Sequence, residues 1–128
     1  LIIFSATKIL CNILSRNDFV NYFPSLLRSD VKIKLLIDNE DSTLLNQINI
    51  INDTSRLNKI QLSHSNKMIE FRECVIISDD KYMLQLKYDI NNQLIAFIST
   101  EKYNILLQDI LFEKHWNEVK SLNTLKHN

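Results

Sequence analysis

The chain has 128 residues, enough for one domain with a real core. Fifteen basic residues balance fifteen acidic ones, so no basic stripe speaks for nucleic acid, and no apolar run approaches the roughly 20 residues that span a bilayer. Glycine is absent, which excludes every glycine-rich phosphate loop and leaves turns to Asn, Asp and Ser.

Leu1 to Phe4 reads as a buried first strand that Ser5-Ala6-Thr7 ends. Ile9, Leu10, Ile13 and Leu14 then recur at helical spacing. Asn17 or Asp18 offers a cap for a second helical piece holding Phe19, Val20, Phe23, Leu26 and Leu27, with Pro24 as a kink or a first turn. Val31 to Ile37 is a strong second strand. Asp38, Glu40 and Asp41 stop it and serve as helix caps rather than as a cation site, before a helix through Leu44, Leu45, Ile48 and Ile51. Asn52 to Asn58 reads as a polar loop, and Ile60 to Leu62 as a short third strand ending near His64.

From Cys74 to Ile98 three apolar runs follow, separated by Ser78-Asp79-Asp80-Lys81 and Asp89-Ile90-Asn91-Asn92. Runs of this length between Asp/Asn clusters predict consecutive antiparallel strands. After Thr100 the spacing becomes helical to about Leu125, with Leu106, Leu107, Ile110 and Leu111 expected on the sheet. Val119, Leu122 and Leu125 continue as a row expected to meet a dimer partner.

The predicted order is β-α-β-α-β-β-β-β-α in a single domain spanning 1–128: an α/β fold with a mixed sheet of about six strands, helices on its faces and a long C-terminal helix. The chain opens inside an apolar run without an initiator Met, which reads as a domain excised from a longer protein. With no signal peptide or membrane segment visible, a cytoplasmic location is expected.

Five pieces stand in the order found in one family. Ile2-Ile3-Phe4-Ser5 matches an opening strand, and Leu26-Leu27 followed by Val31-Lys32-Ile33-Lys34-Leu35-Leu36 matches a helix leading into a strand. Ile76 to Tyr82 matches a hairpin, Ile95 to Thr100 a strand, and Leu111-Phe112-Glu113-Lys114-His115-Trp116 a helix. Together they resemble the phospholipase-D-like regulatory domain of archaeal, mainly thaumarchaeal, sensor histidine kinases, and more distantly archaeal sugar-sensing transcriptional regulators. The resemblance implies half of a phospholipase D fold and a sensory role in a two-component signalling protein.

Active phospholipase D relatives carry H-x-K-x-x-x-x-D. In register with Asp79, the His position is Arg72 and the Lys position is Cys74. Arginine stays protonated and cannot attack phosphorus. No catalytic residue is therefore expected, and no cofactor or metal, since three histidines and two distant cysteines form no ligand cluster. The candidate ligand-binding residues are Arg72, Asp79, Ser99, Thr100 and His64. The leading expectation is a non-catalytic domain that senses a small molecule or partner domain and signals through its last helix as a homodimer. The alternatives are a residual phosphodiesterase, for which His64 is the only nucleophile in reach, and a scaffold module without ligand.

Overall fold

The computed structural model describes residues 1–15, 32–54, 60–65 and 72–127, with the side chains of the last helix described through Lys120. The helical piece expected around Phe19 to Leu27 and the turn at Asn66-Lys67 lie outside the described residues, as do the side chains of Leu122 and Leu125. Within them the elements are β1 (Ile2–Ser5), α1 (Thr7–Leu14), β2 (Ile33–Ile37), α2 (Ser42–Thr54), β3 (Ile60–His64), β4 (Glu73–Ser78), β5 (Tyr82–Tyr88), β6 (Leu94–Ser99) and α3 (Lys102–His127).

The six strands form one sheet in the order β3-β2-β1-β4-β5-β6. β1, β2 and β3 run parallel, with Ile3 opposite Leu35 and Leu35 opposite Leu62. β4 joins β1 antiparallel, with Ile3 opposite Ile76, and β5 and β6 complete the meander. This is the mixed α/β sheet that the two βα units and the short turns predict.

Alternation along each strand divides the interior in two. Ile3, Leu35, Ile37, Cys74 and Leu86 face one layer, where Ile9, Leu10, Ile13 and Leu14 of α1 and Leu44, Ile48 and Ile51 of α2 cover them. Phe4, Leu36, Val75, Ile77 and Met83 face the other, where Ile105, Phe112 and Trp116 of α3 close over them. Strands buried on both faces need apolar residues at successive positions, which is why β1 and β2 read as unbroken apolar runs.

Side-chain caps replace what glycine and local capping do not supply. Ala6 gives α1 no side-chain cap; Asp38, arriving from the end of β2, does so instead. Asp41 caps α2 by accepting the Leu44 N–H at 2.8 Å. Glu101 caps α3, accepting the N–H groups of Tyr103 and Asn104 at 3.1 and 2.8 Å. The two turns of the meander place Asp79, Asp80 and Asn92 at positive φ, the left-handed region that Asp and Asn tolerate best among residues with a Cβ.

Two expectations are corrected. α2 runs through Thr54, so Asn52 and Asp53 are helical rather than loop. The Asn52 amide reaches the start of β3, donating to Ile60 O at 3.1 Å and accepting from Ile60 N at 2.7 Å. Satisfying both backbone groups of Ile60 at the sheet's edge repays the helix for its last turn. The second correction concerns α3. Its sheet-facing residues are Ile105, Phe112 and Trp116, with Val119 half-buried, whereas Leu106, Leu107, Ile110 and Leu111 are exposed. The helix carries apolar residues on two sides, and the larger rings of Phe112 and Trp116 fill the space over Phe4 and Leu36.

Candidate functional site

Register sorts the strand ends into two groups. Ser5, Ile37, His64, Cys74 and Tyr88 lie at one end of the sheet, and Ile2, Ile77, Tyr82 and Ser99 at the other. The first end holds the carboxyl ends of the three parallel strands. Connections leave β1 toward β2 on one side, while β4 flanks it on the other, and such a switch point leaves a crevice where open α/β sheets bind ligands.

A cavity of about 570 Å³ occupies that crevice. Thr7 and Lys8 enter from the start of α1, Asp38 and Asn39 from the end of β2, Arg72 from the approach to β4, and Tyr88, Asp89 and Asn92 from the β5–β6 turn. Most of this lining is fixed by hydrogen bonds. Asp38 Oδ1 accepts the Thr7 N–H and lies 2.7 Å from the Thr7 hydroxyl. The Thr7 hydroxyl also accepts the Asn39 N–H at 3.2 Å. Asp89 Oδ1 accepts the N–H groups of Asn91 and Gln93, both at 2.9 Å, which holds the turn.

Lys8 and Asn12 stand one helical turn apart on α1 and both meet Tyr88. Asn12 Nδ2 donates to the phenol oxygen at 2.9 Å, and the Lys8 ammonium sits 5.5 Å from the ring centre. Arg72 is exposed at the cavity's rim and makes no hydrogen bond or ion pair among the described residues. The two carboxylates already accept from backbone donors, and among the described residues the cationic donors lining the cavity are Lys8 and Arg72, beside a Tyr88 hydroxyl that accepts from Asn12 and can still donate.

Of the residues singled out from sequence, Arg72 alone lines this cavity. His64 is at the same end of the sheet but in a separate, smaller cleft of about 110 Å³ with Glu40, Asp41 and Ser63. Asp79 is in the β4–β5 turn at the opposite end, where Ser99 closes β6 opposite Met83 and Thr100 follows. Five strand steps separate that end from Tyr88, about 17 Å. Arg72 therefore does not share a pocket with Ser99 and Thr100.

Lys8, Asp38, Tyr88 and Asn92 belong to the cavity and were not among the candidates. Asp38 reads in the sequence as a helix cap in preference to a cation site and Asn92 as a turn residue, and nothing local in a sequence tells that β5 ends beside the start of α1. The available signal was the rule that strand carboxyl ends at a switch point bind ligands, applied to Thr7, Lys8 and Asp38.

Among the described residues neither cysteine is a poised nucleophile for this cavity. Cys74 is fully buried under α1. Burial pushes its thiol up to about 11, although the neighbouring Ser5 hydroxyl pulls the other way. Burial, with the charge of Asp41, also raises the Cys11 thiol. Neither is a ready thiolate. Among the described residues no group of three or more His, Cys, Asp or Glu is placed to hold a metal ion, and no helix is long and apolar enough to cross a membrane.

Comparisons with protein-family models, with curated proteins and with solved structures returned no match.

Proposed function

We propose that this chain is a non-catalytic sensory or regulatory domain of a signalling protein, of the kind carried by two-component sensor histidine kinases in the cytoplasm, and that it binds a small polar molecule bearing an anionic group. The observation that carries the reading is the cavity at the carboxyl end of β1 and β2, lined by the cations Lys8 and Arg72, which have no anionic partner among the described residues. A site with cations, a fixed tyrosine and no activated nucleophile is built to hold rather than to cleave.

The route outward runs through β1. Ala6 and Thr7 line the cavity, and Phe4, two residues earlier, meets Phe112 of α3 with ring centres 6.0 Å apart. Phe112 in turn stacks on Trp116 at 5.5 Å. Displacement of the end of β1 by a ligand is passed to the terminal helix by these rings, because a close-packed layer does not absorb a shift locally.

The test is calorimetry and thermal shift with a panel of small anions: inorganic phosphate, a sugar phosphate, a dicarboxylate. Binding of at least one, weakened tenfold or more by Arg72→Ala and by Lys8→Ala, supports the reading. Affinity unchanged in both variants overturns it, as does hydrolysis of a generic phosphodiester abolished by His64→Ala, which favours a residual phosphodiesterase.

A further inference from the structure

α3 has two apolar faces. Ile105, Phe112 and Trp116 form the first, against the sheet. Tyr103, Leu106, Leu107, Ile110 and Leu111 form the second, exposed at 76%, 52%, 64%, 57% and 39%. At 3.6 residues per turn the two stripes are centred about 180° apart, on opposite sides of the helix. Polar residues, among them Asn104 and Gln108 on one flank and Asp109 and Glu113 on the other, separate the stripes, so the outer one is a second apolar face beyond the single face a surface helix buries. Nothing among the described residues covers the outer stripe, and the fold does not need it, since the sheet is already sealed by the inner one.

We infer that a second copy of this chain covers it, with the two α3 helices antiparallel about a two-fold axis near Leu107. Three features of the stripe argue for self-pairing. Lys114, exposed and two turns beyond Leu107, continues the stripe at its far end, and Glu101 stands exposed just before the helix start, where its carboxylate caps Tyr103 and Asn104. The five apolar positions centre on Leu107, so an antiparallel partner brings Lys114 of one copy to Glu101 of the other, whereas a parallel one sets like charges together. Tyr103 then meets Leu111 of the second copy and Leu111 meets its Tyr103, the reciprocal contact of an isologous interface.

The area is also sufficient. The exposed fractions amount to roughly 500 Å² of apolar side chain on each copy, about 1,000 Å² in the pair, which reaches the lower bound for a specific interface. Edge strand β6 runs into the same helix through Ser99 and Thr100, and its Phe97 is also exposed. The pairing is independent of the cavity and of its ligand.

Sedimentation equilibrium of the 128-residue chain at about 100 µM, where a micromolar dimer is nearly complete, should give the dimer mass. Leu107→Glu with Ile110→Glu should give a monomer with an unchanged far-ultraviolet spectrum. Orientation is read by cysteine cross-linking in a Cys11→Ser background. Leu107→Cys, at the axis, should oxidise to a covalent dimer. Lys114→Cys should not, because its two Cα atoms lie about 20 Å apart along antiparallel helices, well beyond the roughly 7 Å a disulfide can bridge. A parent chain that is monomeric at this concentration overturns the inference and points to a partner of another sequence. Cross-linking at Lys114→Cys as efficient as at Leu107→Cys overturns the antiparallel arrangement.

Discussion

Asp38, the residue after β2, caps a helix that begins thirty-one residues before it: its Oδ1 takes the Thr7 N–H at 2.7 Å and lies 2.7 Å from the Thr7 hydroxyl. One carboxylate therefore satisfies the first turn of α1, ties β2 to α1 and forms a wall of the cavity. Asp38→Ala should destabilise the chain by about 1–2 kcal/mol, the usual cost of a lost N-cap. Asp38→Asn, which keeps an acceptor oxygen in place, should cost less. Urea unfolding of the three proteins checks the order, and equal stability of parent and Asp38→Ala would contradict the capping role.

A carboxylate pair, Asp80 with Asp109, sets a pH dependence. Asp109, on α3, is raised above its ordinary value of 3.8 chiefly by burial, then by the charge of Asp80 and a hydrogen bond with it, and by Glu113, while Lys34 opposes. The folded state thus holds this proton more tightly than the unfolded chain. Its stabilising contribution is complete below the ordinary carboxylate pKa and is lost as pH rises through the higher folded value. Asp109→Asn should therefore leave acid stability nearly unchanged and raise the melting temperature at neutral pH. A variant no more stable than the parent at pH 7 would show that the Asp80–Asp109 contact is harmless when ionised.

The fold was legible because its signals are local. The period of two in β5 and the Asp/Asn punctuation around it set the meander. The apolar runs of β1 and β2 set the parallel core. The face of α3 was misread because Leu106, Leu107, Ile110 and Leu111 satisfy a core stripe as well as Ile105, Phe112 and Trp116 do. Periodicity ranks faces by apolarity, and only the rings of Phe4 and Phe112, 6.0 Å apart, choose between them. The cavity was legible at Arg72 and not at Tyr88, which is sixteen residues further along the chain and reaches Lys8 only through the order of the strands.

That choice of face is measurable. Phe112 is fully buried between Phe4 and Trp116, so Phe112→Ala should cost about 3–5 kcal/mol, the range for removing a core aromatic ring. Leu106→Ser is on the outer stripe and should change the stability of the monomeric chain by no more than about 0.5 kcal/mol. Denaturation at low concentration, where association does not contribute, separates the two. Comparable losses in both variants would place the outer stripe in the core after all.

Cys74 gives a chemical clock for opening of the sheet. Its thiol is sealed under α1 and pushed up to about 11. Because the thiolate is the reacting species, labelling at neutral pH should proceed only through unfolding and should slow in step with added stability. Cys11, half-buried, should label faster. Rapid labelling of Cys74 that ignores stabilising conditions would mean the core is open at that strand.

The turns offer the last test, because a chain without glycine places three of its described residues in the left-handed region. Asn92 has φ of 64° at the end of the β5–β6 turn, where its N–H bonds to Asp89 O at 3.0 Å. Asp79 and Asp80 have φ of 54° and 56° between Ser78 and Lys81, closed by a 3.1 Å bond from the Lys81 N–H to Ser78 O. Two successive left-handed residues match the twist of a tight hairpin, and asparagine and aspartate are the side chains that tolerate them best after glycine. Asn92 is exposed, so substitution there reads backbone conformation with little packing. Asn92→Gly should leave stability within about 0.5 kcal/mol, since relief of the Cβ contact is offset by the freer unfolded chain. Asn92→Val should cost about 1–2 kcal/mol or more, because a β-branched side chain meets the backbone in that region. Asp80→Gly should gain more than Asn92→Gly, because it also removes the negative charge that raises Asp109. Thermal melts of the three variants at pH 7 decide it. An Asn92→Val protein as stable as the parent would mean that residue 92 is not left-handed in solution.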